Sequence, residues 1–182
     1  VSKYLNGNYR LEKTKDITFP KLDMEDIKEE IKETVDFDSK VKDGFNEIHK
    51  KVGGVDYYYI TGAKGCGKNE SCSFEEYKTK YEIGADHKKK GPFKGVYFIN
   101  GDLNIKGDIR LEGTFYVYGD VSIQYTKRTE NPIAAAIIAY GEIQIANNNL
   151  YQSEPAILNS FFWSLEDDFV IYGVGSHLQI NG

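Results

Sequence analysis

Apolar residues recur at a short fixed interval in the second half of the chain. Four six-residue segments, here called hexads, follow one another without a gap, and each begins with glycine and has apolar residues at its third and fifth positions. A period of this kind indicates a repeat architecture, in which neighbouring repeats stack and share a core. The hexads are Gly101-Asp-Leu-Asn-Ile-Lys, Gly107-Asp-Ile-Arg-Leu-Glu, Gly113-Thr-Phe-Tyr-Val-Tyr and Gly119-Asp-Val-Ser-Ile-Gln.

Two architectures accommodate such short apolar pairs. In an antiparallel meander, Asn100-Gly101 forms a two-residue turn and pairs Phe98 with Leu103. A second turn at Lys106-Gly107 would then place the apolar positions of successive strands on opposite faces. In a β-solenoid each hexad is one short strand ending at a glycine corner, and every apolar pair points into one core. The register favours the solenoid over a two-sided or bulged meander, with inward positions at Leu103, Ile105, Ile109, Leu111, Val121 and Ile123.

The repeat continues toward the end of the chain with two interruptions, residues 125–132 and 147–168, which we expect to form contact loops. An uncovered final strand would expose its edge, so we expect either that the chain is a fragment or that a partner covers this end. Apolar residues return to the two repeat positions at Ile143 and Ile145, in the segment 169–173, and at Leu178 and Ile180.

The first half of the chain follows a helical period. Asp23 is suited to cap a helix that stops around residues 36–38. A weaker period over residues 40–51 indicates a second helical stretch ending at Gly53-Gly54, and residues 55–60 are predicted to form a strand. The apolar positions are Met24, Ile27, Ile31 and Val35 in the first helix, and Val41, Phe45 and Ile48 in the second stretch.

These patterns predict a mainly β fold with an N-terminal α-helical region. We expect a short-rung β-solenoid over residues 92–182, packed against one or two helices of a helical and loop-rich region, residues 1–91. Because 182 residues rarely form two full cores, the chain is expected to be one compact unit.

Charge and hydropathy exclude two classes of partner. The formal net charge is -5 with both signs interspersed, which argues against a nucleic-acid-binding surface. No apolar run is long enough to span a membrane. Membrane attachment would therefore need an N-terminal anchor outside these residues, and the start at Val1 is compatible with the removal of such a segment.

The two cysteines bear on the compartment. Cys66 and Cys72 lie in one hydrophilic, glycine-containing loop that can bring their Cα atoms to disulfide distance. We expect a disulfide, and with it export to an oxidising compartment, because exposed free thiols are usually avoided. The alternative is a pair of free thiols in a reducing cytosol.

The same loop resembles a phosphate-binding P-loop. Residues 62–69 have the P-loop spacing and follow an apolar strand. Asn69, however, stands where Ser or Thr would hold Mg²⁺, and no helical period follows. We therefore expect neither nucleotide binding nor any other cofactor.

Other candidate chemistry is sparse. His49, His87 and His177 are far apart and lack metal-ligand or nucleophile spacing, so we expect surface histidines. If three hexads make one coil, Asp102 and Asp120 stack at a corner, where paired carboxylates could share Ca²⁺. Aspartate also suits a solvated turn, which is the interpretation we prefer. The sequence predicts no catalytic residue and no metal site.

Two aromatic runs are candidate contact surfaces. Phe161, Phe162 and Trp163 follow one another, as do Tyr57, Tyr58 and Tyr59. Each run suits a partner surface or a sugar-stacking patch, and each also suits the core between the solenoid and the N-terminal region. We favour the core, and we keep Phe161, Phe162 and Trp163 as possible partner contacts.

The repeat region resembles a known family. The segments 95–105, 115–123, 137–145 and 171–182 are similar to the C-terminal β-helical region of PilX-like minor pilins of Gram-positive type IV pili, and more loosely to the bactofilins. The resemblance covers about the last 90 residues. It implies a β-helical fold, an extracellular or cell-surface location, and other pilin subunits or surface proteins as partners.

The leading functional hypothesis is therefore a non-enzymatic, exported structural or interaction protein, the soluble part of a minor pilin or a pilus-associated surface component. Three alternatives stay open at this point. They are a carbohydrate-binding adhesin with a glycan partner, an intracellular bactofilin-like polymer, and a hexapeptide-type acyltransferase.

Overall fold

The computed structural model describes residues 21–40, 44–64, 75–84, 92–107, 110–124, 133–146, 156–173 and 178–182. Two short helices precede a series of strands in these ranges. The elements are α1 Met24–Val35, α2 Phe37–Lys40, β1 Gly44–Val52, β2 Val55–Lys64, β3 Glu75–Tyr77, β4 Thr79–Gly84, β5 Phe93–Ile99, β6 Gly101–Lys106, β7 Leu111–Val117, β8 Val121–Gln124, β9 Ile133–Ala139, β10 Ile143–Ala146, β11 Ala156–Ser164, β12 Phe169–Tyr172 and β13 Leu178–Ile180.

The strands form two sheets that the chain visits in alternation. Sheet A has the order β1-β2-β5-β7-β9-β11-β13, with β3 attached to β2, and sheet B has the order β12-β10-β8-β6-β4. Strands β1 and β3 pair antiparallel with β2, while the described pairings from β2 onward through both sheets are parallel. A chain that winds between two parallel sheets is a β-solenoid, so the predicted fold class is confirmed and the meander is excluded.

The register shows how the hexads are used. Leu103 pairs with Val121 in sheet B, and Phe93 pairs with Leu111 in sheet A, so three hexads make one coil. The hexad that begins at Gly107 departs from the prediction, because Gly107 lies in a bend and Leu111 already begins β7. Ile109 is outside the described residues. The other five predicted inward residues are fully buried: Leu103, Ile105, Leu111, Val121 and Ile123.

Sheet A buries both of its faces, one against the core between the sheets and the other against the helices with which the solenoid was expected to pack. Tyr97 and Ile99 face the core between the two sheets. Phe98, between them, faces the opposite side and packs in a second cluster. The second cluster is closed by the helices and contains Met24, Ile31, Val35, Phe37, Ile48, Tyr59, Phe98 and Ile138.

Helix α1 forms as predicted. The Asp23 carboxylate accepts hydrogen bonds from the backbone N–H groups of Glu25 at 2.9 Å and Asp26 at 3.4 Å, which satisfies two unpaired donors of the first turn. The helix ends at Asp36, whose φ of 58° is left-handed. Its N-terminal end lies near Tyr140, which follows β9, and Phe37 beyond its C-terminal end contacts Tyr59 of β2.

The predicted second helical stretch is wrong, since residues 44–52 form strand β1. Asn46 and Ile48 are buried while Glu47 and Lys51 are exposed, which is the two-residue alternation of a strand. Strand β1 pairs with β2 through a turn at Gly53 and Gly54, both at positive φ. The predicted helix rested on only three apolar positions, Val41, Phe45 and Ile48, and so short a pattern does not distinguish a helix from a strand.

The predicted interruption at 147–168 is also wrong in its second half. Residues 156–164 form strand β11, which pairs with β9 from Leu158 to Ser164. The segment is therefore another strand of the solenoid rather than a contact loop. The other predicted interruption, 125–132, lies outside the described residues.

Candidate functional site

The stacked aspartates of the corner are bonded to the backbone. Asp102 accepts a hydrogen bond through Oδ1 from the backbone N–H of Asp120 at 3.1 Å. Asp120 in turn accepts one from the backbone N–H of Glu142 at 3.0 Å. Each carboxylate thus fastens one coil to the next. Among the residues that the structure describes, no three His, Cys, Asp or Glu side chains are grouped so that they could hold a metal ion.

A partly buried polar group, here called the clasp, joins α1 to sheet A through the Glu76 carboxylate. Tyr59 donates its hydroxyl hydrogen bond to Oε1 of Glu76, and Asn100 donates to the same oxygen at 2.9 Å. Lys32 of α1 lies 3.5 Å from the other oxygen, Oε2. Asn100 also donates to Thr61 Oγ1 at 3.2 Å.

The electrostatics of the clasp follow from its burial. Desolvation, with a further contribution from Glu76, raises the pKa of Tyr59 far above its ordinary value. Burial lowers the pKa of Lys32, but Glu76 and Glu29 raise it by more, so the net shift is upward. Both groups therefore keep their protons at neutral pH, and the clasp acts as a fastening between helix and sheet.

A cleft lies between the N-terminal end of α1 and the corners that follow β7 and β9; we call it the tyrosine cleft. Its volume is about 360 Å³. The rings of Tyr118 and Tyr140 stack in it with their centroids 5.3 Å apart. A hydrogen bond to Glu25, together with some burial, raises the pKa of Tyr118 to about 12. The other lining residues are Lys21, Leu22, Asp23, Met24, Glu25 and Glu166.

The run Phe161, Phe162 and Trp163, for which we favoured the core, is divided between the two faces of β11. Phe162 points inward and packs against the core between the sheets. Trp163 points to the helix side and packs against the second cluster. Phe161 is 52% exposed and meets the Trp163 ring edge-on at 6.3 Å. Of the three residues, Phe161 is the one best placed to meet a partner.

The last coil carries the most exposed apolar surface among the described residues, here called the end surface. Phe169 and Ile171 of β12 are in register with Ile143 and Ile145, which are fully buried. Phe169 and Ile171 themselves are 43% and 51% exposed. Through Phe169 and Ile171 the end surface therefore presents core positions of the repeat to solvent. Its members are Ile157, Phe161, Phe169, Ile171 and Tyr172.

A cavity opens at the end surface beside β11. It has a volume of about 280 Å³. Ser160, at its wall, is 3% exposed, and its Oγ has no hydrogen-bond partner among the residues that the structure describes. A buried hydroxyl without a partner is unfavourable by itself, and it points to a polar group that could be supplied from outside. The other lining residues are Phe161, Phe162, Phe169, Ile180 and Gly182.

The opposite edge of sheet A is chemically different. Strand β1 carries Glu47, Lys50 and Lys51, and charges on an edge strand discourage pairing with other chains. Strands β12 and β13, at the ends of the two sheets, contain no charged residue. The two ends of the solenoid therefore differ in their capacity to accept another strand.

Several residues singled out in the sequence lie outside the described ranges. They are Cys66 and Cys72, His87 and His177, and residues 65–69 of the P-loop-like segment. Residues 62–64 of that segment are described and belong to β2. His49 is described, and its ring stacks on Tyr58 at 4.5 Å. Its Nε2 lies 2.9 Å from Asp56 Oδ1, and this hydrogen bond is the main cause that lowers the pKa of Asp56.

Sequence reasoning missed the tyrosine cleft and the clasp. A signal for the cleft was present, since Tyr118 and Tyr140 each precede a corner glycine. The clasp has no such signal. Its members are brought together from α1, β2, β3 and the bend after β5, and no local period relates them.

No helix within the described ranges is both long and apolar enough to cross a bilayer. The chain matches no protein-family model, and no curated protein or solved structure matches it.

Proposed function

We propose that this chain is a structural and interaction protein of the cell surface, the soluble part of a minor pilin or a pilus-associated component. The solenoid serves as a stiff body, and the end surface serves as its contact with the next component. The observation that carries the proposal is the exposure of Phe169 and Ile171 at positions that are fully buried one coil earlier.

The strands at the two ends of the solenoid support this proposal. A solenoid whose last strands are uncharged presents both unpaired backbone groups and apolar side chains, which favour strand pairing with another chain. The charged β1 edge restricts such pairing to the other end. A body of this kind adds to an assembly in one direction, which suits a subunit at a fixed place in a surface appendage.

The test uses photo-crosslinking in the cells that make the protein. A photo-reactive amino acid replaces Phe161, which is 52% exposed on the end surface, and the matched control replaces Val52, which is 44% exposed at the other edge of sheet A. We expect crosslinks to an appendage or surface protein from position 161 only. In parallel, a membrane-impermeant amine reagent should label the protein on intact cells. Protection from that reagent, or equal crosslinking from both positions, contradicts the proposal.

A second function, glycan binding, is favoured by the tyrosine cleft. Aromatic rings beside carboxylates are suited to stack on sugar rings and to accept hydrogen bonds from their hydroxyl groups. Tyr140 is 42% exposed and lines the cleft. Binding on a glycan array should be lost in Tyr140→Ala and kept in Tyr172→Ala, a control that removes an exposed tyrosine elsewhere. Equal loss in both variants, or no binding by the parent protein, removes this candidate.

A further inference from the structure

The clasp brings an amine, a carboxylate and a carboxamide together. Nζ of Lys32 lies 3.5 Å from Oε2 of Glu76, and Nδ2 of Asn100 lies 2.9 Å from Oε1 of the same residue. The amine and the amide therefore lie on the two oxygens of one carboxylate group, although they come from helix α1 and from the bend after β5. An amine and a carboxamide are the two reactants of an amide exchange, and a carboxylate between them is placed to move the protons.

The carboxamide is held in a fixed orientation. Asn100 is 5% exposed, and its Nδ2 also donates hydrogen bonds to Thr61 Oγ1 at 3.2 Å and to the backbone oxygen of Tyr77 at 3.4 Å. Thr61 is fully buried. Neighbours that fix the position of a reacting group lower the entropic cost of reaching the reactive geometry. The Cγ atom of Asn100 is therefore held beside Glu76, where it could be attacked by an amine.

The amine lies in an aromatic and partly desolvated surrounding. Nζ of Lys32 is 5.1 Å from the centroid of the Phe37 ring, which meets the buried Tyr59 ring edge-on. The side chains of Lys32 and Glu76 are only 20% and 16% exposed. Lys32 also contacts Glu29 at 3.3 Å. Its flexible four-carbon stem allows Nζ to turn from these carboxylates toward the amide.

We propose that Lys32 and Asn100 join in an intramolecular isopeptide bond, with Glu76 as the base. A bond forms between Nζ of Lys32 and Cγ of Asn100, and the bond between Cγ and Nδ2 of Asn100 breaks. Nζ loses two of its three protons, Glu76 passes them one after the other to Nδ2, and Nδ2 leaves as an ammonium ion. The Glu76 carboxylate is regenerated, so the reaction consumes no other reagent. The inference goes beyond the proposed function, because the reaction needs neither a partner nor a particular compartment.

The protonation of Lys32 determines the rate of this reaction. Lys32 is charged at neutral pH, whereas the attacking amine must be neutral. Glu76 provides the neutral amine by taking a proton across the 3.5 Å pair, and this transfer removes both charges from a poorly solvated site. The neutral pair is a minor species, so the reaction is slow. Because the ammonium ion is lost to solvent, a slow reaction still runs to completion.

The bond would change how helix α1 is attached. Lys32 lies in the last turn of α1, and Asn100 connects β5 of sheet A to β6 of sheet B. A covalent link between them closes the chain from residue 32 to residue 100 into a loop. Helix α1 could then not leave the outer face of sheet A unless a covalent bond were broken.

The experiment measures the intact mass of the purified full chain after reduction and denaturation. The mass should be lower than that of the sequence by one ammonia molecule. Trypsin should then release a branched peptide that joins residues 29–40 to residues 95–106, because it does not cleave after a modified Lys32. Fragmentation of this peptide should place the branch at Lys32 and Asn100.

Variants separate the roles of the three residues. Lys32→Arg keeps the positive charge and should abolish the bond. Glu76→Gln removes the base and should slow formation of the bond by about a hundredfold or more. Lys28→Arg is the matched control, since Lys28 lies on the same helix and contacts Glu25 at 3.6 Å, and it should keep the branched peptide. Circular dichroism checks that each variant folds, and the mass of the parent chain decides the inference even where a variant does not.

Four results would overturn the inference. The first is a parent chain with the full mass of its sequence. The second is loss of ammonia within residues 95–106 alone, which indicates a succinimide at Asn100-Gly101. The third is hydrolysis of the Asn100 amide to aspartate without a branch. The fourth is formation of the bond at the parent's rate in Glu76→Gln, which would exclude Glu76 as the base. None of these results bears on the crosslinking from position 161, which tests the proposed function separately.

Discussion

The backbone at Gly113 leaves no space for a side chain, so Gly113→Ala is expected to destabilise the solenoid strongly. Gly113 has a φ of +138° and pairs with Gly95 of the preceding coil. A Cβ at this position would overlap the carbonyl oxygen of Gly95, and it would lie 2.9 Å from the nitrogen and 3.0 Å from the carbonyl carbon of the same residue. Because all three are backbone atoms, relief requires β5 and β7 to move apart.

The magnitude has two contributions. A non-glycine residue at this φ costs about 1–3 kcal/mol. Displacing packed backbone to relieve the overlap costs about another 1–3 kcal/mol. Together they predict a loss of about 4 kcal/mol in the free energy of unfolding. For a chain of 182 residues this corresponds to a fall in Tm of about 8–16 °C.

The matched control is Gly53→Ala in the β1–β2 turn. Gly53 also has a positive φ, +59°, but no heavy atom lies within 4 Å of a Cβ built there. Backbone strain alone then costs about 1–2 kcal/mol, and Tm should fall by about 2–8 °C. Thermal unfolding followed by circular dichroism measures both variants. Equal losses would refute the steric argument, since the collision with Gly95 is present at position 113 and absent at position 53.

Three other predictions concern the core, the tyrosines and the cysteines. Ile123 is fully buried between the sheets and its neighbour Ser122 is not. Urea denaturation should therefore show a loss in the free energy of unfolding of about 4 kcal/mol or more for Ile123→Asp and under about 1 kcal/mol for Ser122→Asp. Similar losses for the two variants would contradict the register. Burial raises the pKa values of Tyr59, Tyr81 and Tyr97, so the unfolded chain loses these protons first, and the contribution of the three tyrosines to stability should be lost as the pH rises above about 10. Ultraviolet titration should then show these tyrosines ionising together with unfolding, and their ionisation in the folded protein would count against their burial. Cys66 and Cys72 should resist alkylation under denaturing conditions until a reductant is added, and intact-mass analysis that finds two labels without reduction would oppose export.

The sequence was most informative where only one face of a strand is buried. In β8 of sheet B, Val121 and Ile123 are fully buried while Ser122 and Gln124 are partly exposed, so the alternation in the sequence gives the direction of each side chain. In sheet A the alternation of apolar and polar residues does not give the direction of a side chain, because both faces of the sheet are buried. Phe98 is as apolar as its inward neighbours, and only the helix packed on the far side explains its direction.

The candidate sites depended on contacts that no short window contains. The end surface follows from the repeat, because Phe169 and Ile171 continue the apolar positions of earlier coils. The clasp does not, since Glu76 meets Lys32, Tyr59 and Asn100 only after the chain has folded. The hydrogen-bonding character of Ser160 was equally hidden, because a serine in a strand is ordinarily satisfied.

The length of helix α1 also limits how many strands of sheet A can have their outer face covered by it. Its 12 residues span about 18 Å. From Tyr59 on β2 to the corner that follows β9 is three strand spacings, about 14 Å. Helix α1 is therefore long enough to cover the outer face of sheet A from β2 to β9, and Phe161 of β11 lies outside the part that it covers. A variant with an additional coil would need a longer helix, or it would expose another row of apolar side chains on the outer face.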